Sequence, residues 1–272
     1  MSLPHSLPTP SSHLCLYVAY LSNTANADSI KSSLAAIAWL HKLKDLPDPT
    51  KAFSITRTLK GLEKLGPAHT HKFKPVRYRY LLNFLTVLPG ITSTEYEAVL
   101  FKAVFLLAYY ACLRPGEYAN SNGLTHTLKV ENLEVYPWSS SYKLMITLPS
   151  YKHSKGSESF CLEPTGDTKV CPVEAIIAFL RRRPPLTGPL FIHLNHKPIA
   201  RAAVSKILRR AATAAGYDPQ DFSPHSLRVG RATDLAWDGV PEHIIKKTGR
   251  WNSNAYLQYL RFELFHLPPA PM

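Results

Sequence analysis

Four short stretches of this 272-residue chain carry side chains that could handle a phosphate. In "CLRPGEY" (112–118) Arg114 follows a nearly continuous apolar run, where a charge needs a partner, and Glu117 stands three residues on. The pair reads as an ion pair stabilising a helix end, or as a guanidinium fork oriented by a carboxylate towards a phosphate. "YKHSKGSE" (151–158) is a tight turn with Lys152, His153 and Lys155 at its tip. Such a tip is either a solvated loop or a flexible cation able to enter a groove or donate a proton. "PHSLRVGRATDLA" (224–236) sets His225 and Arg228 three apart at a helix start, where backbone N–H groups favour an anion. "GRWNSNAYLQYLR" (249–261) supplies the Trp251 indole N–H and two tyrosines, Tyr256 and Tyr259, again three apart. On spacing alone these tyrosines are equivalent, and either packs in a core or attacks an electrophile.

The formal charge is +13, from 32 Lys and Arg against 19 Asp and Glu, and points to a polyanionic partner, nucleic acid before membrane. A purely structural protein leaves that charge unexplained. Cys15, Cys112, Cys161 and Cys171 have no metal-ligand spacing, so no zinc site is expected. Three of the four lie in apolar or strand-like stretches and are expected to be buried free thiols. "MSLPHSLPTP" lacks the apolar core of a signal peptide, and "AVLFKAVFLLAYYACL" is interrupted by Lys102 and too short to span a bilayer. An intracellular, soluble protein with no membrane partner is expected.

The elements that must position these residues follow from periodicity. Residues 1–12 are rich in Ser and Pro and read as a disordered arm. Residues 13–67 hold three or four short helical patterns, with Asp28 or Ser29 capping the second and Ser54 the third. Residues 68–77, Pro- and base-rich, read as an interdomain linker. From 78 to 266 the pattern is mixed. Two helices come first, the second apolar on most faces and therefore buried. Alternating stretches between 127 and 163 then predict strands, and five helical segments follow, the last over "SNAYLQYLRFELF". Residues 267–272 form a tail. The fold class expected is mainly α with a small antiparallel β-sheet (α+β).

In their order, these stretches make the chain resemble the tyrosine recombinase (phage integrase-like) family. Its members use an Arg, a Lys on a β-hairpin, a His-x-x-Arg pair, a His or Trp, and a nucleophilic Tyr. Those slots fall on Arg114, Lys152, His225, Arg228, Trp251 and Tyr259, and the usual acidic residue after the first Arg falls on Glu117. "LRPGE" and "GRW-S-AY--YLR" look most like eukaryotic transposon members of the Crypton and DIRS types. In those enzymes the Tyr lies eight residues after the Trp, which selects Tyr259 over Tyr256. "YKHSKG" replaces the commoner "SKT", so Lys152 and Lys155 both remain open as the hairpin lysine. Thirteen residues follow Tyr259, so the C-terminal helix that many members dock on a neighbour is expected to be short or absent.

The resemblance implies a SAM-like helical core-binding domain followed by a catalytic domain. It also implies cleavage and rejoining of double-stranded DNA through a 3′-phosphotyrosyl link. No cofactor, metal, ATP or small-molecule substrate is implied. The partners implied are DNA and further copies of the chain, assembled as a tetramer on paired sites, in the nucleus. Two rivals share much of this: a type IB topoisomerase that relaxes supercoils as a monomer, and a domesticated DNA-binding protein without catalysis.

Overall fold

The computed structural model describes residues 7–65, 73–120, 127–149 and 156–260. The chain divides into two compact units, residues 1–71 and 72–272. The described residues are mainly helical with one small antiparallel sheet, the α+β class that the periodicities predict.

The first unit contains α1 (Ser11–Ser22), α2 (Ala27–Leu43), a 3-10 turn at Pro49–Lys51 and α3 (Phe53–Leu65). Leu14 and Val18 of α1, Ile30 and Leu34 of α2, and Ile55 of α3 form its core. The i, i+4 spacing of the first two pairs places each pair on one stripe. Helix α2 is capped by Asn26, whose side chain accepts from Ser29 N at 2.9 Å, so Asp28 and Ser29 lie inside its first turn. Ser54 likewise falls inside α3, and α1 begins within the stretch expected to be a disordered arm. His41 is wholly buried. Its Nε2 accepts from Thr9 N at 3.0 Å, which leaves the ring proton on Nδ1, 2.9 Å from Ile37 O.

The second unit is built around α5 (Glu95–Tyr110), which is capped by Thr94 and buried at ten positions. It packs against α4 (Tyr78–Ile91), α7 (Pro172–Leu180) and α9 (His225–Trp237), with α8 (Arg201–Ala214) against α4. The short α6 (Pro115–Tyr118) follows α5 after a four-residue turn, and α10 (Glu242–Gly249) follows α9. Strands β1 (Leu133–Trp138), β2 (Ser141–Leu148) and β3 (Glu158–Leu162) form an antiparallel sheet in that order. Leu144, Ile146 and Leu148 alternate into the core and pin the register of Val135 opposite Leu144 and Phe160 opposite Ile146. Strand β1 runs through Pro137 and Trp138, and the turn is at Ser139, with φ 49°.

Residues 74–77, expected to be linker, are bound into this second unit. Lys74 N donates to Asp221 O at 2.6 Å, and Val76 N to Ser226 O at 2.9 Å, with the Val76 side chain fully buried. The segment lies so close to α9 that a Cβ on Gly230 would sit 1.8 Å from Val76 O, so only glycine fits there. Asp234, one turn on, accepts from Arg77 Nε at 2.5 Å, Tyr78 N at 2.8 Å and Tyr109 Oη at 2.5 Å. Cys112 and Cys171 are buried, Cys15 is half-buried and Cys161 is exposed, so two thiols rather than three are buried, and all four are free. Cys161 faces outward because strand alternation puts it opposite Met145, away from Leu144 and Ile146.

Candidate active site

Arg114 caps the start of α6 after the turn that ends α5, with Cys112 held at φ 46° inside that turn. The backbone folds back so that Glu117 reaches it twice. Glu117 Oε2 accepts from Arg114 N at 2.8 Å, and Oε1 accepts from Arg114 Nη1 at 3.0 Å. Glu117 is buried, and such a carboxylate needs compensation beyond one arginine. It comes from Arg250, whose Nη2 donates to Glu117 Oε2 at 2.8 Å. Arg250 also donates to Ala111 O at 3.0 Å and Cys112 O at 3.2 Å, so it grips the same turn from below.

Arg228 is wholly buried, at 0% exposure, in the first turns of α9. Its Nη1 donates to Cys112 O, and its Nη2 to Gly249 O at 2.5 Å. The guanidinium lies 4.3 Å from the Trp251 ring and 5.5 Å from the Tyr259 ring, in cation–π range. Burial, with the neighbouring cations Arg114 and Arg250, pushes it down to about 10, which leaves it charged near neutrality. The spacing of His225 and Arg228 puts both on one face of the first turn. The structure turns Arg228 inward, because the main-chain oxygens of two loop ends offer it acceptors within the core.

Trp251 is buried beside Arg228, and its Nε1 has no hydrogen-bond partner among the described residues. Its place depends on Gly249: a Cβ there would lie 1.7 Å from Trp251 Cζ3. Gly249 therefore serves close approach, and the left-handed position after α10 falls to Arg250, at φ 56°. The last described element is a 3-10 helix, Asn254–Tyr259, started by a Ser253 cap, where a regular α-helix is expected from the sequence. At three residues per turn Tyr256 and Tyr259 stack along one side. Their surroundings nevertheless differ. The Tyr259 ring lies 5.2 Å from His225 and 5.0 Å from Trp251, and its backbone O accepts from Thr233 Oγ1 at 3.2 Å. Tyr256 is buried near Lys246, and burial with the Glu242 carboxylate pushes its phenol above the usual range.

His225, Arg228, Trp251 and Tyr259 thus lie around one another, and the Arg114 turn with Glu117 is tied to them through Cys112 O, which accepts from both Arg228 and Arg250. Lys152 and the alternative Lys155 lie outside the described residues. Arg250 was missed by reasoning from residue type; its one signal was an arginine following a helix-terminal glycine, which reads as a solvated charge. Among the described residues, no group of three or more His, Cys, Asp or Glu side chains could hold a metal ion, and no helix is long and apolar enough to cross a membrane.

A helical unit wrapped on a long buried helix, with a three-stranded antiparallel sheet at its side, is the fold of tyrosine recombinase catalytic domains. The family model described as the phage integrase family matches residues 87–261, and the chain belongs to that family. Over 52 residues it is 40% identical to tyrosine recombinase XerD of Xanthomonas axonopodis pv. citri (strain 306), a match that takes in 19% of this chain and 17% of that protein. Among solved structures it is similar to XerH site-specific recombinase bound to palindromic difH substrate in a post-cleavage complex. That likeness has a TM-score of 0.67 at 15% identity, over 94% of this chain and 70% of that one. It is also similar to the Tn1549 transposon integrase in complex with circular intermediate DNA. There the TM-score is 0.61 at 13% identity, over 96% and 83% of the two chains. At such identities the likeness is one of fold.

Proposed function

We propose that this chain is a DNA strand-transferring recombinase that works through a 3′-phosphotyrosyl intermediate, without metal or ATP. The observation that carries the reading is the neighbourhood of the Tyr259 ring: His225 and Arg228 lie against it beside Trp251, whereas Tyr256, though 6.3 Å from the same Trp251, faces Glu242 and Lys246. A phenol is a weak nucleophile near neutrality, so its attack on a phosphodiester needs a base and positive charge at the phosphorus. On this reading His225 takes the phenolic proton, and the Tyr259 oxygen bonds to phosphorus. Arg114, Arg228 and the Trp251 indole N–H stabilise the charge on the non-bridging oxygens. The 5′-oxygen leaves with a proton from the hairpin lysine, Lys152 or Lys155. A 5′-hydroxyl from a second strand reverses the steps on a new partner. Glu117 orients Arg114 throughout. Arg228 exchanges its main-chain acceptors for phosphate oxygens when DNA binds.

The finer reading places the chain with the Crypton and DIRS types of transposon recombinase, acting in the nucleus as a tetramer on paired duplex sites. Residues 13–67 serve as the core-binding domain and 78–266 as the catalytic one. One observation favours a second reading, a domesticated DNA-binding protein without catalysis: Arg228 has both Nη groups on backbone carbonyls. Nicked suicide duplexes drawn from a random pool by the chain itself separate the two. A covalent adduct is expected with the wild-type chain and with Tyr256→Phe, and none with Tyr259→Phe. An adduct lost only in Tyr256→Phe would reverse the choice of nucleophile. Binding without any adduct would favour the second reading, and relaxation of supercoils by a monomer a topoisomerase.

A further inference from the structure

We infer that Arg250 is a positioning residue, the buried end of a relay Arg250–Glu117–Arg114 that holds the Arg114 turn against the loop carrying Trp251 and Tyr259. The role it would serve rests on the recombinase reading, but the relay itself does not.

Arg250 joins two segments far apart in sequence. Its own backbone sits in the left-handed region at φ 56°, between the last turn of α10 and Trp251. A non-glycine residue is uncommon there and persists when its surroundings over-determine it. The surroundings include four acceptors: Ala111 O, Cys112 O, Thr248 O at 3.3 Å, and Glu117 Oε2 at 2.8 Å. Three of these belong to the 111–117 segment and one to α10.

Glu117 then passes the constraint on. The Oε2 that accepts from Arg250 also accepts from Arg114 N, and its Oε1 accepts from Arg114 Nη1. Both carboxylate oxygens are therefore committed, Oε1 to the Arg114 guanidinium and Oε2 to Arg114 N and Arg250 Nη2 together. Without Arg250, the buried carboxylate would keep one cation instead of two, and Ala111 O would lose its guanidinium donor. Cys112 O would still have Arg228. The turn would remain folded but lose the guanidinium fork that holds Glu117, and through it Arg114, to the loop at Arg250. A lysine cannot replace that fork, since a single ammonium cannot reach two main-chain oxygens and a carboxylate in the same plane. A displacement of about 1 Å at such a position costs about a hundredfold in rate.

Arg250→Lys and Glu117→Gln, each in the full chain, test the relay with two readouts. Hydrogen exchange across residues 111–118, measured without DNA, is expected to rise in both variants while exchange in α5 stays unchanged. Adduct formation on the nicked random-pool duplexes is expected to fall about tenfold to a hundredfold, with retention of the same duplexes near the wild-type level. Unchanged exchange at 111–118 in Arg250→Lys overturns the relay whether or not the chain cleaves DNA. Raised exchange with an undiminished adduct rate overturns the positioning role. So does a loss of adduct that merely follows lost DNA retention and a general rise in exchange in both variants, since that marks a structural role. A wild-type chain that forms no adduct, with local exchange raised in the variants, sinks the recombinase reading and leaves the relay standing.

Discussion

At the scale of single residues, the site gathers three arginines around one buried carboxylate among the described residues. Arg114 and Arg250 both pair with one buried carboxylate, Glu117, while Arg228 donates to the main-chain oxygens of Cys112 and Gly249. In a dry environment that imbalance favours an incoming anion. Trp251 completes the wall only because Gly249 has no side chain. Gly249→Ala is therefore expected to push the indole off Arg228, destabilise the second unit by about 1–3 kcal/mol, and abolish the adduct. Gly61→Ala in α3, where a Cβ meets nothing within 4 Å, is the control and should be neutral or stabilising by up to about 1 kcal/mol. Thermal melts of the two variants check both. The sequence made five of the clustered residues visible by type, since charge after an apolar run, a His–Arg pair and a Trp near tyrosines are unusual. It did not reveal that Arg228 turns inward or that Arg250 matters. Both depend on which carbonyls two distant loop ends present, and no local pattern encodes that.

At the scale of elements, α9 is the member on which most of the site hangs. Its first turn carries His225 and Arg228, its middle carries Gly230 and Thr233, and Asp234 ties it to Arg77, Tyr78 and Tyr109. The segment at 73–77 belongs to this assembly. A second unit begun at residue 73 is expected to fold, while one begun at residue 78 loses the buried Val76 and its bond to Ser226. The shorter chain should be less stable by about 2–4 kcal/mol in denaturant titrations. Equal midpoints would show that the segment contributes nothing. Helix positions were legible from apolar spacing, and so was the sheet from alternation. Boundaries were not: Asn26 rather than Asp28 or Ser29 caps α2, Pro89 stays inside α4, and the expected last helix is 3-10. Capping depends on one side-chain rotamer, and the 3-10 geometry on docking against Trp251, His225 and Thr233, so neither is a property of local spacing.

At the scale of the molecule, charge decides how a partner is met. An excess of +13 implies that contacts to a polyanion dominate affinity, whatever the sequence of the duplex. With about six to ten phosphate contacts, binding to random duplexes is expected to weaken about 10³- to 10⁵-fold between about 50 and 200 mM salt. A filter-binding series in salt measures the slope, and a flat response would mean that DNA is not the partner. Most of that charge is on the surface, where salt screens it within about a Debye length. Arg228 is different, because it shed its hydration shell when the chain folded. On the recombinase reading, a phosphate that reaches it replaces main-chain acceptors rather than water, so the dehydration of that guanidinium is completed before any DNA arrives.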